Sequence, residues 1–165
     1  TELVDLCQLV RTMSDDFQNE IRQHGLVLVR EIPTQPLMII GVYLQFYRLL
    51  DNIIGNALKF TSPGGQIKIT LQQNGRDALL AICDTGIGVP QDKLEQIFER
   101  FYQIDGSTKR RYGGVGLGLA LVKSIVEAHA GTIWAESPCT DDPENPGLCI
   151  KIRLPLSSVS RTDRP

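Results

Sequence analysis

Asp51-Asn52-Ile53-Ile54-Gly55-Asn56-Ala57-Leu58-Lys59-Phe60-Thr61, followed by Ser62-Pro63-Gly64-Gly65, is the stretch on which the fold turns. Its apolar residues continue a pattern that starts upstream. Val42, Phe46, Leu49, Ile53 and Ala57 recur at the spacing of one helix face, which predicts a helix over 40–60. The run of Ser, Pro and Gly then ends it. Beside the apolar face runs a polar stripe of Gln45, Arg48, Asn52, Asn56 and Lys59, at intervals of three and four. Two Asn in mid-helix are poor helix formers. The stripe reads as a solvated face or as a wet edge with chemistry. An Asn carbonyl oxygen suits Mg²⁺, which prefers hard oxygen ligands, and Lys59 suits phosphate as a point cation.

Working outward, Gln66–Gln73 alternates polar and apolar residues, Asn74-Gly75-Arg76-Asp77 makes a turn, and Ala78–Cys83 is an apolar run, together a hairpin of two strands. Upstream, residues 4–23 read as a short strand and then a helix burying Leu6, Leu9, Val10, Met13, Phe17 and Ile21; Leu26–Val29 reads as a strand closed by Pro33 and Pro36. Downstream come a short amphipathic helix over Leu94, Ile97, Phe98 and Phe101, a helix over 115–130, and strands over 132–136 and 148–154. The acidic loop 141–147 separates the last two, and a tail from Ser157 is expected to be disordered. Hairpins with a few long helices predict an α+β two-layer sandwich, not a doubly wound parallel sheet.

The chain has 165 residues, of which 42% are hydrophobic and 22% charged, enough for one core without staples. With 17 Lys+Arg against 19 Asp+Glu, it lacks the basic excess of a nucleic-acid-coating protein. No apolar run is long enough to cross a bilayer, so no membrane contact is expected of this segment. Cys7, Cys83, Cys139 and Cys149 show no Cys-x-x-Cys spacing and read as buried reduced thiols of a reducing compartment.

Two further segments carry chemistry. Asp84-Thr85-Gly86-Ile87-Gly88 places a carboxylate at a strand end, beside glycines that permit close backbone approach. An aspartic protease also uses Asp-Thr-Gly, but needs a second carboxylate, and no second copy occurs in this chain. Gly113-Gly114-Val115-Gly116-Leu117-Gly118-Leu119 opens a helix, where free N–H groups and the helix dipole attract anions. It fits neither the P-loop nor the Gly-x-Gly-x-x-Gly register.

Taken in order, these segments resemble the nucleotide-binding domain of sensor histidine kinases, within the gyrase, Hsp90, histidine kinase and MutL superfamily. Residues 51–61 resemble the N box, 84–90 the first glycine box, Ile97-Phe98-Glu99-Arg100-Phe101-Tyr102 the F box, and 114–123 the second glycine box. The resemblance implies a Bergerat-type fold, a mixed and mostly antiparallel sheet packed on three helices. It spans 1–156, with a lid over about 89–115, and the glycine content of that lid predicts that residues 103–113 are mobile without nucleotide. The resemblance further implies ATP and Mg²⁺ as cofactors. Asn56 would ligate Mg²⁺, Asn52 would help order the catalytic site, and Lys59 would meet phosphate. Phe60, Asp84, Gly86, Gly88 and Val89 would surround the base, Asp84 taking the adenine amino hydrogen. Phe98 and Phe101, with Tyr102, would anchor the lid. Gly114, Val115, Gly116, Leu117, Gly118 and Leu119 would bind phosphate through the backbone.

The implied reaction is transfer of the γ-phosphoryl group to a histidine on a separate helical hairpin domain of a dimeric parent, then to a response-regulator aspartate, in the cytoplasm. Asn52 stands where water-activating branches of the superfamily carry Glu, which disfavours hydrolysis. Gln103 replaces the usual basic residue after Phe-Tyr, with Arg100, Lys109, Arg110 and Arg111 as nearby cations, and Val115 replaces a small hydroxyl residue. Neither His24 nor His129 has the setting of a phosphoacceptor. Alternatives are an anti-sigma-type serine kinase of the same superfamily, or a nucleotide-binding regulatory module with weak catalysis.

Overall fold

The computed structural model of the chain describes residues 1–102 and 118–158. The chain runs β1 (Glu2–Asp5), α1 (Leu6–Gln23), β2 (Val27–Glu31), β3 (Met38–Gly41), α2 (Tyr43–Phe60), β4 (Gln66–Asn74) and β5 (Asp77–Asp84). Two 3-10 turns, Gln91–Lys93 and Gln96–Phe98, precede α3 (Gly118–Ala128), β6 (Thr132–Glu136) and β7 (Cys149–Pro155). Five strands form one sheet in the order β2-β4-β5-β7-β6, parallel between β2 and β4 and antiparallel elsewhere. The fold is the expected α+β sandwich, with one addition, a separate antiparallel pair of β1 and β3.

Local chemistry explains the main elements. Asp5 caps α1, its Oδ1 accepting from the Cys7 and Gln8 amides at 3.0 and 3.3 Å. Helix α2 buries Phe46, Leu49, Leu50, Ile53, Ile54, Ala57 and Leu58 and leaves Gln45, Arg48 and Lys59 exposed. Its apolar face meets α1, α3 and β5. The sheet answers with Ile67, Ile69 and Leu71 of β4, Leu80 and Ile82 of β5, and Ile150, Ile152 and Leu154 of β7. Each fully buried Leu or Ile contributes roughly 1.5–3 kcal/mol. The β4–β5 register pairs Ile67 with Asp84, so the hairpin delivers Asp84 to the end of the sheet.

Three expectations need correction. The helix expected from residue 40 begins at Tyr43. Met38-Ile39-Ile40 instead satisfies its backbone by pairing with β1, and Val42 becomes the N-cap residue of α2. The amphipathic helix over 94–101 reduces to a single 3-10 turn, Gln96–Phe98. Extended backbone at Glu99 breaks the helical spacing, so Ile97 and Phe98 are buried while Phe101, at φ 63°, is 71% exposed. The four cysteines are not all buried thiols. Cys83 and Cys149 lie opposite each other on β5 and β7 and form a disulfide, while Cys139 is exposed. Only Cys7 is a buried free thiol as expected.

The start of the helix expected over 115–130 and residues 103–115 of the lid lie outside the described residues, as does the tail from 159.

Candidate nucleotide site

Asp84 ends β5 with 8% of its surface exposed. Its Oδ1 accepts from the Gly86 amide at 2.9 Å and the Leu148 amide at 3.2 Å. Its backbone amide donates to the Leu148 carbonyl, and the Cys139 thiol approaches its carbonyl at 3.5 Å. Burial raises its carboxyl to a pKa of about 6, against the lowering effect of the two amides. Its Oδ2 has no hydrogen-bond partner among the described residues. One oxygen is thus held by backbone while the other remains for a ligand donor.

The turn after Asp84 is tied to the end of α2. The Ile87 amide donates to the Phe60 carbonyl at 3.1 Å, and a Cβ on Gly86 would strike that same carbonyl. Gly88, at φ 68°, sits against Pro146 and Ser137. The closeness these glycines permit is therefore first to the chain itself, which locks Asp84 in place. Val89 is buried and donates its amide to Ser137 Oγ, which in turn donates to the Gly147 carbonyl at 2.6 Å.

The polar stripe of α2 faces solvent or is half-buried, as the spacing predicted. Asn52 donates its Nδ2 to the Arg48 carbonyl at 2.7 Å and turns Oδ1 toward Gly118, where a Cβ would lie 2.8 Å from that oxygen. The half-buried Asn56 makes no side-chain hydrogen bond with the described residues, and Lys59 is exposed without an ion pair among them. Phe60 is half-buried at the helix end. Tyr102 and Leu119 pack on the core, whereas Phe101 does not serve as a buried anchor. Gly114, Val115, Gly116 and Leu117 lie outside the described residues, together with Gln103, Lys109, Arg110 and Arg111.

A cavity of about 500 Å³ opens beside Asn52, lined also by Arg100, Phe101, Gly118, Ala120, Leu121 and Ser124. Asp84 does not line it, so it adjoins the Asn end of the site and not the carboxylate end.

Sequence reasoning missed Leu148, Ser137 and Gly147, which hold Asp84 and its turn. Leu148 acts through its backbone amide, which no side-chain identity announces; the Pro146-Gly147 pair, with Gly147 at φ 75°, is the one local signal there. Both histidines are structural. His129 stacks on Phe46 with 4.4 Å between ring centroids, meets the Ile125 carbonyl through Nδ1 and accepts from the Val42 amide through Nε2. His24 caps the exposed end of α1.

The chain is similar to known proteins over most of its length. Sensor histidine kinase WalK of Bacillus subtilis (strain 168) is 38% identical over 94% of this chain and 25% of its own length. RppB, a sensor histidine kinase of Synechocystis sp., is 34% identical over 93% of this chain and 33% of its own. The chain thus spans a quarter to a third of these curated relatives. The solved structure of the mycobacterial sensor histidine kinase MprB superposes with a TM-score of 0.78 at 28% identity, covering 94% of this chain and 97% of that one. Residues 41–158, which include both Asn residues, Asp84 and the start of α3, match the family described as histidine kinase-, DNA gyrase B-, and HSP90-like ATPase. With the motifs, the fold and the relatives in agreement, the chain belongs to that ATPase family, and the relatives it is similar to are sensor histidine kinases.

Proposed function

We propose that residues 1–156 form the ATP-binding catalytic unit of a sensor histidine kinase. It hands the γ-phosphoryl group of ATP to a histidine on a separate phosphoacceptor hairpin of a dimeric parent, and from there to a response-regulator aspartate. The observation that carries this reading is Asp84. A buried carboxylate with Oδ1 fixed by two amides and Oδ2 open is built to accept one donor, and the adenine amino group supplies it. Guanine presents a carbonyl at that edge and is rejected.

The free amide oxygen of Asn56 fits Mg²⁺, a hard cation that takes one protein ligand and completes its shell with phosphate and water. Bound there, Mg²⁺ would offset phosphate charge. Lys59, one turn on, adds a cation beside the same phosphates. Asn52 has no titratable group to act as a base and has its Nδ2 committed to the Arg48 carbonyl, so it orders the site and does not activate water. Positioning and charge neutralisation are most of what phosphoryl transfer requires. A reaction that draws on ATP and a response regulator favours a cytoplasmic location for the unit. No helix among the described residues is long and apolar enough to cross a membrane.

Titration with a non-hydrolysable ATP analogue, with GTP as control, should give adenine-selective binding that Mg²⁺ strengthens. In Asn56→Ala the Mg²⁺ effect should vanish while the fold persists. A supplied phosphoacceptor hairpin should then take label from γ-labelled ATP. Equal binding of GTP, or a Mg²⁺ effect that survives in Asn56→Ala, would refute the assignment of these residues; binding without any transfer would reduce the chain to a nucleotide-responsive module.

A further inference from the structure

Arg100 and Phe101 follow the buried Phe98, and both line the cavity of about 500 Å³ that holds Asn52 in its wall. Phe101 has φ 63°, a left-handed backbone uncommon for a bulky side chain and found where function over-determines the chain. Among the described residues no carboxylate lines the cavity, and Arg100 makes no ion pair or hydrogen bond with them. Its guanidinium is permanently charged. Arg100 is exposed at this cavity, and the described residues leave its guanidinium available to an anionic ligand.

Helix α2 indicates where that anion lies. Phe60 is tied to the turn after Asp84, Asn56 is one turn back along the axis, and Asn52 is a further turn back, in the cavity wall. At about 1.5 Å per residue the cavity begins roughly 6 Å beyond Asn56, about the reach of one more phosphate unit. A nucleotide with its base at Asp84 and its inner phosphates at Asn56 would have its last phosphate within reach of this cavity.

We propose that Arg100 is the cation that meets the terminal phosphoryl group during transfer, a role that rests on the nucleotide reading above. The acceptor imidazole nitrogen forms a bond to the γ-phosphorus as the bond from that phosphorus to the β-γ bridging oxygen breaks. The electron pair leaves with ADP, and the imidazole ring proton passes to solvent. The guanidinium bridges two equatorial oxygens whose charge is exposed in that step.

The test compares affinities of the 165-residue chain for ADP and for a non-hydrolysable ATP analogue, each with Mg²⁺. Arg100→Gln should lose about tenfold for the ATP analogue and leave ADP unchanged, the scale of a charge-assisted hydrogen bond. Arg100→Lys should recover part of the loss, and transfer to a supplied hairpin should fall in parallel. Unchanged ADP affinity also shows that the variant is folded. If Arg100→Gln keeps the wild-type ratio of the two affinities, the inference is overturned and the site stands. It is equally overturned if only a variant with Lys109→Gln, Arg110→Gln and Arg111→Gln loses the preference. If the wild-type chain binds neither nucleotide, the nucleotide reading falls and Arg100 falls with it.

Discussion

Asp84 has a pH signature of its own. Its carboxyl is raised from 3.8 to about 6, burial outweighing its two amide donors. In the unfolded chain it ionises near the lower value, so between about pH 4 and pH 6 the folded state binds the extra proton. Stability therefore falls as pH rises through that window and levels off above it, by on the order of 3 kcal/mol for this group. Asp84→Asn should remove that slope from urea unfolding measured at several pH values. Nucleotide affinity should show the opposite sense if, as proposed, the ionised carboxylate accepts the adenine amino hydrogen. Wild-type binding should weaken as pH drops below about 6, while Asp84→Asn should bind about 1.5–3 kcal/mol more weakly with no such dependence. A wild-type affinity flat from pH 5 to 8 would remove Asp84 from the pocket. The residue itself was legible, since an apolar run that ends in Asp before Thr-Gly marks a strand end. Its second clamp, the Leu148 amide, was not, because strand pairing across 64 residues leaves no trace in side-chain type.

At the scale of elements, periodicity identified α1 and α2 because each buries a continuous face, and it identified the hairpin because Gly75, at φ 61°, takes the turn. It failed at β3. Met38-Ile39-Ile40 is too short to distinguish a strand from the first turn of a helix, and only its pairing with β1 decides. It failed again at the F box, where Leu94, Ile97 and Phe98 keep the apolar spacing of a helix but the backbone makes only a short 3-10 turn before it extends at Glu99. The cap of α1 is a local device that can be tested alone. Asp5→Ala removes the acceptor for two amides at once, and thermal or urea unfolding should show a loss of about 1 kcal/mol with nucleotide affinity unchanged. No loss would mean that water caps the helix equally well.

The sheet order is a property of the whole molecule, and it explains what composition concealed. Reading the four cysteines by spacing alone gives free thiols, but β7 returns beside β5 and sets Cys149 opposite Cys83, 66 residues apart in sequence. Closing a loop of that length restricts the unfolded chain, so a dithiol reductant should lower stability by about 2–4 kcal/mol, and Cys83→Ser should respond to reductant no further. Identical unfolding curves with and without reductant would mean that the pair is reduced under both conditions. The motifs on α2 and at the end of β5 were both legible. Their meeting, through the Phe60 carbonyl and the Ile87 amide, was not. That meeting places the carboxylate on the sheet and the two Asn residues on the helix layer. A nucleotide held by both works as a rivet through two plates. On the proposed reading, occupancy would govern how often the layers part and how long the domain survives proteolysis, so scarce ATP would shorten the domain's lifetime as well as withhold its substrate.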